Sequence, residues 1–177
     1  MNKKDIISTD NFGESMLKGR MAETLVEELL RKSGNTIYRF GYEAIMQNLI
    51  QIKKSFDAHS DVGERIRAIP DFIAIDKNGN PILLEVKYRW NGKIHPDDKE
   101  RLKKIQNFWN AKIIFVNCSE KPFFRISVPP YLDEKGNLIS KPLIEETLWK
   151  IDKNIYDEFE AIVKKYLTPT LIQNNRD

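Results

Sequence analysis

With 177 residues, 41% of them hydrophobic and 31% charged, the chain has the length and composition of one globular domain with a real core. A formal net charge of +3 does not announce a nucleic-acid partner, and the single cysteine, Cys118, excludes an internal disulfide and a multi-cysteine zinc site. No apolar run approaches the roughly 20 residues that span a bilayer, and MNKKDIISTD has no apolar stretch behind its basic residues, so neither a membrane span nor a secretory signal is expected. Cysteine usage fits a reducing cytoplasm.

The first predicted element is a helix over NFGESMLKGRMAETLVEELLRKSG, with Thr9, Asp10 or Asn11 able to cap its start and Gly34 placed to end it. TIYRFGYE, rich in β-branched and aromatic residues, predicts a strand, and AIMQNLIQIKKSF a short helix. RIRAIPDFIAID and PILLEVKYRW read as two strands joined by KNGN. PDDKERLKKIQNFWN is a helix with Pro96 and Asp97 as its start signals, and KIIFVNC a short strand apolar on both faces. FFRISVP is a further candidate strand. A helical pattern from about Leu143 to Leu167 closes the chain: Leu148, Ile151, Ile155, Phe159, Ile162 and Tyr166 recur at three or four residues, and Pro169 stops it. The order is α-β-β-β-α-β plus a C-terminal extension, which predicts one α/β domain with helices on a mixed sheet. The core spans about 15–118; the extension, about 119–177, either packs on it or dimerises. No internal repeat or low-complexity segment stands out.

Two strands in the middle of this order carry charge where a buried strand should not. In IPDFIAIDKNGNPILLEVKY, residues 69–88, Asp71 opens the first run and Glu85 and Lys87 stand near the end of the second. Side chains two apart on a strand share a face, so Glu85 and Lys87 point the same way. A two-residue Asn78-Gly79 turn would set Asp71 opposite Val86. A three-residue Lys77-Asn78-Gly79 loop, with Gly79 left-handed, sets Asp71 opposite Glu85. The second register groups Ile73, Ile75 and Leu83 on one face and Phe72, Ala74, Leu84 and Val86 on the other, and lets the charges satisfy one another. It is the register expected. Two carboxylates about 5 Å apart beside an ammonium make a site for Mg²⁺, which takes one or two carboxylates and keeps several waters. The bland alternative is a salt bridge at the sheet's end.

Pro70-Asp71, thirteen intervening residues, then Glu85-Val86-Lys87 resembles the signature of the PD-(D/E)XK nuclease superfamily, whose restriction-endonuclease-like core is also α-β-β-β-α-β. The resemblance covers roughly residues 15–118. It implies a metal-dependent nuclease acting on DNA, with Asp71, Glu85 and the Val86 carbonyl on Mg²⁺ (or Mn²⁺), Lys87 assisting the attacking water, and products with 5′-phosphate and 3′-hydroxyl ends. It also implies an acid on the first helix. The helical wheel puts Glu23 at one edge of the apolar arc and Glu28 at the other and does not choose. KGRMAETLVEELL resembles the opening helix of Holliday-junction-resolvase-like members, where a glutamate follows a glycine, and Gly19 with Glu23 fits that pattern. Such enzymes cut branched DNA as symmetric dimers, so a homodimer is expected.

Around this centre lie candidate phosphate contacts. Residues 87–104 are dense in Lys and Arg. Arg65 and Arg67, alternating with Ile66 ahead of the Asp71 strand, would share a face; Arg89 continues the face of Lys87; Lys99 and Gln106 lie seven apart on one helical face, with Lys103 beside them. His59 and His95 read as loop residues, and Cys118 as a small buried hydrophobe. A non-catalytic nucleic-acid-binding module that keeps the fold, or a partner-binding protein using the amphipathic tail, are the competing classes.

Overall fold

Thirty helical residues come first: α1 spans Lys3–Lys32, about 45 Å at the usual rise. The computed structural model describes residues 3–41, 57, 59–89, 94 and 96–168. After α1 come β1 (Ile37–Arg39), α2 (Asp61–Arg67), β2 (Phe72–Ile75), β3 (Pro81–Arg89), α3 (Pro96–Trp109), β4 (Lys112–Asn117), β5 (Phe124–Ser127), β6 (Lys141–Pro142), a 3₁₀ turn (Leu143–Glu145) and α4 (Lys153–Tyr166). The six strands lie in chain order in one mixed sheet. Among the described strands only β3 and β4 pair in parallel, and α3 lies in the crossover between them. The α-β-β-β-α-β core and the mixed α/β architecture are as the sequence implies.

Ala22, Val26, Leu29 and Leu30 of α1 are fully buried and pack on the sheet face that presents Phe72, Ala74, Leu84 and Val86. Burying each large apolar side chain contributes about 1.5–3 kcal/mol, which fixes the helix on the sheet. Gly34, at φ +88°, ends α1: its N–H donates to the Arg31 carbonyl at 2.9 Å and the Asn35 N–H to that of Leu30 at 3.0 Å. The C-terminal extension covers the same face. Trp149, Tyr156, Phe159, Val163 and Leu167 join the α1 core, so α4 spends its apolar stripe inside the chain. Asn35 fastens it, donating to the Lys150 carbonyl at 2.7 Å and accepting from the Lys150 N–H at 3.1 Å. On the opposite face Leu102 and Ile105 of α3 pack on Ile113, Phe115 and Tyr131.

The β2–β3 register is Phe72 with Leu84, Ile73 with Leu83 and Ile75 with Pro81, the one expected from the three-residue loop. Gly79 stands at φ +85° and its N–H donates to the Asp76 carbonyl. The Asp76 carboxylate accepts from the backbone of Asn78 and Asn80, both at 2.8 Å, and from the Asn80 amide. The pattern recurs: Asp133, with Gly136 at φ +79° and Asn137, builds the same turn, where Asp133 accepts from Lys135, Asn137 and the Asn137 amide. The D-x-x-G-N pattern is thus a short repeat that was not expected, and it organises the loop between β5 and β6.

Other expectations are corrected. Helix α1 starts at Lys3 and runs through Thr9, Asp10 and Asn11, so none of them caps it. Arg65 and Arg67 lie on α2, not on a strand: the Ser60 side chain caps that helix by accepting from the Gly63 N–H at 3.1 Å. Two residues apart on a helix, they do not share a face. The final helix begins only at Lys153, capped by Asp152, so Leu148 and Ile151 precede it and Tyr166 is exposed. The helix expected over AIMQNLIQIKKSF, His95 and Pro169 lie outside the described residues.

Hydrogen bonds to its carboxylate, first those from Asn80, hold Asp76 below the ordinary carboxylate range. A depressed pKa gives stability that is present above the unfolded-state value and lost as pH falls through the folded-state one. Asp76→Ala is therefore expected to lower the melting temperature at pH 7, with the gap to wild type closing in strong acid; thermal melts at pH 7 and about pH 2.5 check this.

Candidate active site

Strand β2 begins at Phe72, so Asp71 sits at its mouth, one step beyond the paired residues and in line with Glu85 across the hairpin. Phe40 and Gly41 N–H groups both donate to the Asp71 carbonyl, at 2.8 and 3.1 Å, and so tie that mouth to the end of β1. Gly41 lies so close that a β-carbon there would come within 3.4 Å of the Asp71 Cα. The Asp71 side chain turns back across the hairpin, and its Oδ2 accepts the Val86 N–H at 2.8 Å. In an extended strand a residue's carbonyl points the same way as its N–H. The Val86 carbonyl therefore faces the Asp71 side.

Glu85 and Lys87 are buried, 4% and 9% exposed, and the Lys87 Nζ donates to the Glu85 Oε1. Their register partners on β4 are Ile113 and Phe115, members of the α3-side core. Two charges thus stand in an apolar wall, where leaving either unpaired would cost several kcal/mol, roughly. Asp71 carries the imbalance. Burial, and then the Glu85 carboxylate, hold its carboxyl well above the ordinary range; Lys87 and the Val86 N–H pull the other way, and Glu23 adds a further upward push. Asp71 is where the two layers meet, since Glu85 belongs to the α3 side and Glu23 to α1.

The two acids the wheel leaves open on α1 have different surroundings. The Glu23 charge adds the smallest upward push on Asp71, while Glu28 pairs with Arg31 at 3.4 Å. A third acid escaped the sequence reading. Glu27 is 7% exposed, held by Arg31 at 2.7 Å and by Arg39 of β1 at 2.6 Å. Arg39 also reaches the Glu23 Oε2 at 3.9 Å and lies over the Phe72 ring, 5.5 Å from its centroid.

The other predicted residues are dispersed. Arg89 keeps the Lys87 face but is clamped by Asp98 of α3 at 2.5 Å and donates to the Tyr88 carbonyl at 2.7 Å. Gln106 Oε1 accepts the Tyr131 N–H at 3.3 Å and so holds the start of the 131–137 loop, and the Lys99 Nζ lies beside Gly136, 3.0 Å from where a β-carbon there would stand. Lys103 is exposed on α3, and so are Arg65 and Arg67 on α2. Arg65 stacks over Phe108, 5.4 Å from its centroid, and its carbonyl accepts from the Trp109 indole. Cys118 is fully buried, and burial pushes its thiol up to about 11, which makes it inert.

Asp71, Glu85 and the Val86 carbonyl are the hard oxygen donors that Mg²⁺ takes, and the Glu85 charge stands near enough to add to the burial that raises the Asp71 carboxyl. The donor set fits a divalent ion on two carboxylates. Among the described residues no group of three or more His, Cys, Asp or Glu is arranged to hold a metal, so Glu23 is not gathered into that set.

No protein-family model matches the chain, and no curated protein matches it. Among solved structures it is similar to Hjc of Archaeoglobus fulgidus, a Holliday junction resolvase from an archaeal hyperthermophile. Identity is 18% and the TM-score 0.37, over 79% of this chain and 98% of that one. Similarity at that level says nothing of activity.

A carboxyl whose proton affinity is raised by folding costs stability as pH rises from its unfolded-state value through its folded-state one. Asp71→Asn keeps an acceptor for the Val86 N–H and removes that cost. Without divalent metal it is expected to melt higher than wild type at pH 7, by about 2–4 °C for each kcal/mol relieved, and to lose the advantage in acid. Calorimetry in EDTA across pH checks this.

Proposed function

We propose that this chain is a Mg²⁺-dependent nuclease that hydrolyses DNA phosphodiester bonds. The observation that carries the proposal is the placement of Asp71 beside Glu85 in the hairpin register, with Lys87 on Glu85 and the Val86 backbone turned toward Asp71. Ion pairing alone would not need a second carboxylate in that recess. Asp71, Glu85 and the Val86 carbonyl would hold the metal, with Glu23 as a further acid at its edge. A bound Mg²⁺ supplies polarisation of the phosphodiester and acidification of a coordinated water. Lys87, released from Glu85, would orient that water and place its ammonium where charge builds on the phosphoryl oxygens. Exposed Arg65, Arg67 and Lys103 are candidate contacts to the DNA backbone away from the metal, and Arg89 lies two residues beyond Lys87 on its strand.

Cutting of branched DNA by a symmetric dimer, or a restriction or repair role, is the finer form of the same proposal. The products would carry 5′-phosphate and 3′-hydroxyl ends. Since α4 packs within its own chain, a dimer would have to form through another surface. One observation favours a second reading, a nucleic-acid-binding module without turnover: Glu23 is not collected with Asp71 and Glu85. Such a module would bind DNA with a steep salt dependence and never cut it.

The test incubates the protein with linear duplex, single-stranded and four-way-junction DNA in Mg²⁺, Mn²⁺ or EDTA, beside a Lys87→Ala variant shown by thermal melting to be folded. Metal-dependent cutting that falls about 10²- to 10⁴-fold in the variant is the expected result. Cutting that persists unchanged in the variant, or salt-sensitive binding with no cutting at all, would overturn it.

A further inference from the structure

Beside the acids, the α3-side face of the sheet carries a second feature that the proposed chemistry leaves unused. The Phe40 and Gly41 N–H groups donate to one carbonyl, that of Asp71, the pattern of a β-bulge in which two residues stand against one. Alternation along β1 settles which way Phe40 faces. Ile37 joins the α1-side core and Arg39 lies over the Phe72 ring, so Phe40 faces the α3 side. Asp71, one residue before the α1-facing Phe72, faces that side by the same alternation. There the Phe40 ring meets Trp109, the last residue of α3, edge to face with centroids 6.5 Å apart. Gly41 carries no side chain where a β-carbon would lie 3.8 Å from the Asp71 Oδ1.

The contacts continue outward. Trp109 donates its indole N–H to the Arg65 carbonyl at 3.2 Å, and the Arg65 guanidinium lies over Phe108, 5.4 Å from its centroid. From the carboxylate of Asp71 the chain of neighbours thus runs to Phe40, to Trp109 and to an exposed arginine. Phe40, Phe108 and Trp109 are half-buried, so each ring keeps part of its surface in water. Phosphates and bases alternate along a nucleic-acid strand, and these groups answer both. An aromatic ring stacks on the π-face of any base, and a guanidinium binds phosphate. Bases within a duplex stack on one another and leave such rings idle, whereas an unpaired base has a face to give.

We infer that Phe40 and Trp109 form a stacking platform for an unpaired nucleobase of the strand at Asp71, with Arg65 taking a phosphate farther along it. Arg67, also exposed on α2, adds positive charge for the same backbone. The inference rests on the DNA substrate of the proposed function and deepens it. It selects strands with an unpaired base, at a branch or a frayed end, over continuous duplex.

Fluorescence anisotropy tests this in EDTA, where binding is read without cutting. The full chain is titrated into a labelled blunt duplex and into the same duplex with a 5′ or a 3′ thymidine tail. Wild type is expected to bind one tailed duplex about 10-fold more tightly than the blunt one. Phe40→Leu, which keeps the apolar bulk and removes the ring face, should lower that ratio about fivefold, while Phe40→Tyr should hold it within about twofold. Arg65→Gln, a change at an exposed side chain, should lower the salt slope of the tailed duplex by about one and leave that of the blunt duplex alone. A purely structural role for the rings would lower the melting temperature and weaken both duplexes together. Equal binding of tailed and blunt duplex by wild type, or a ratio unchanged in both Phe40→Leu and Arg65→Gln, would overturn the inference. Failure to bind either duplex would overturn it too, and cutting in Mg²⁺ would then decide the nuclease proposal by itself.

Discussion

Everything at the candidate site depends on the register of the β2–β3 hairpin. Pairing Phe72 with Leu84 brings Asp71 level with Glu85, and a slip of one residue would set Asp71 against Val86 and send the two acids to opposite faces. The turn enforces the choice. Gly79 takes the left-handed conformation, and the Asp76 carboxylate gathers the backbone of Asn78 and Asn80 beneath it. The apolar side chains vote the same way, since only this register sends Phe72, Ala74, Leu84 and Val86 together into the α1-side core. Local turn chemistry and long-range burial agree, which is how a sequence can hold two carboxylates close together at all.

Holding them there is unfavourable without a cation. Lys87 supplies one charge for Glu85 and the Val86 N–H supplies a dipole for Asp71, while burial, and then the Glu85 charge, raise the proton affinity of Asp71. The α1 and α4 layer seals one face of the sheet, and α3 with the Tyr131 loop covers the other. Asp71, at the mouth of β2, lies where neither layer closes over it completely. Stability is being held below what an apolar strand pair would give, at the one place where two oxygen donors and an ammonium converge.

Much of this could be read from the residues. Gly34 ends α1 because a left-handed residue is needed there, β4 is buried on both faces because its four central residues are all apolar, and the charged hairpin follows from alternation and one glycine. The misses have physical causes. α1 extends back through three good capping residues because nothing in the chain obliges a helix to stop at the first possible cap. Arg65-Ile66-Arg67 alternates like a strand over too few residues to exclude a helix, and Ser60, the cap that decides it, lies outside that window. Glu27 is on the polar side of the wheel and is buried nonetheless, because two arginine side chains fold over it. Burial of that kind comes from a partner on another strand and has no periodic signal. The paired D-x-x-G-N turns did have a signal, at Asp76 and Asp133, and it would have given the β5–β6 loop its shape.

The proposed divalent-cation site of Asp71, Glu85 and Val86 can be seen or ruled out in a crystal. Crystals grown with Mn²⁺ and a short DNA duplex, with data collected at a wavelength where manganese scatters anomalously, address it most directly. The expected result is an anomalous peak bound by both carboxylates and the Val86 carbonyl, with Lys87 turned away from Glu85 toward a phosphate or water. DNA bound with Lys87 still on Glu85, and no anomalous peak between the acids, would contradict it.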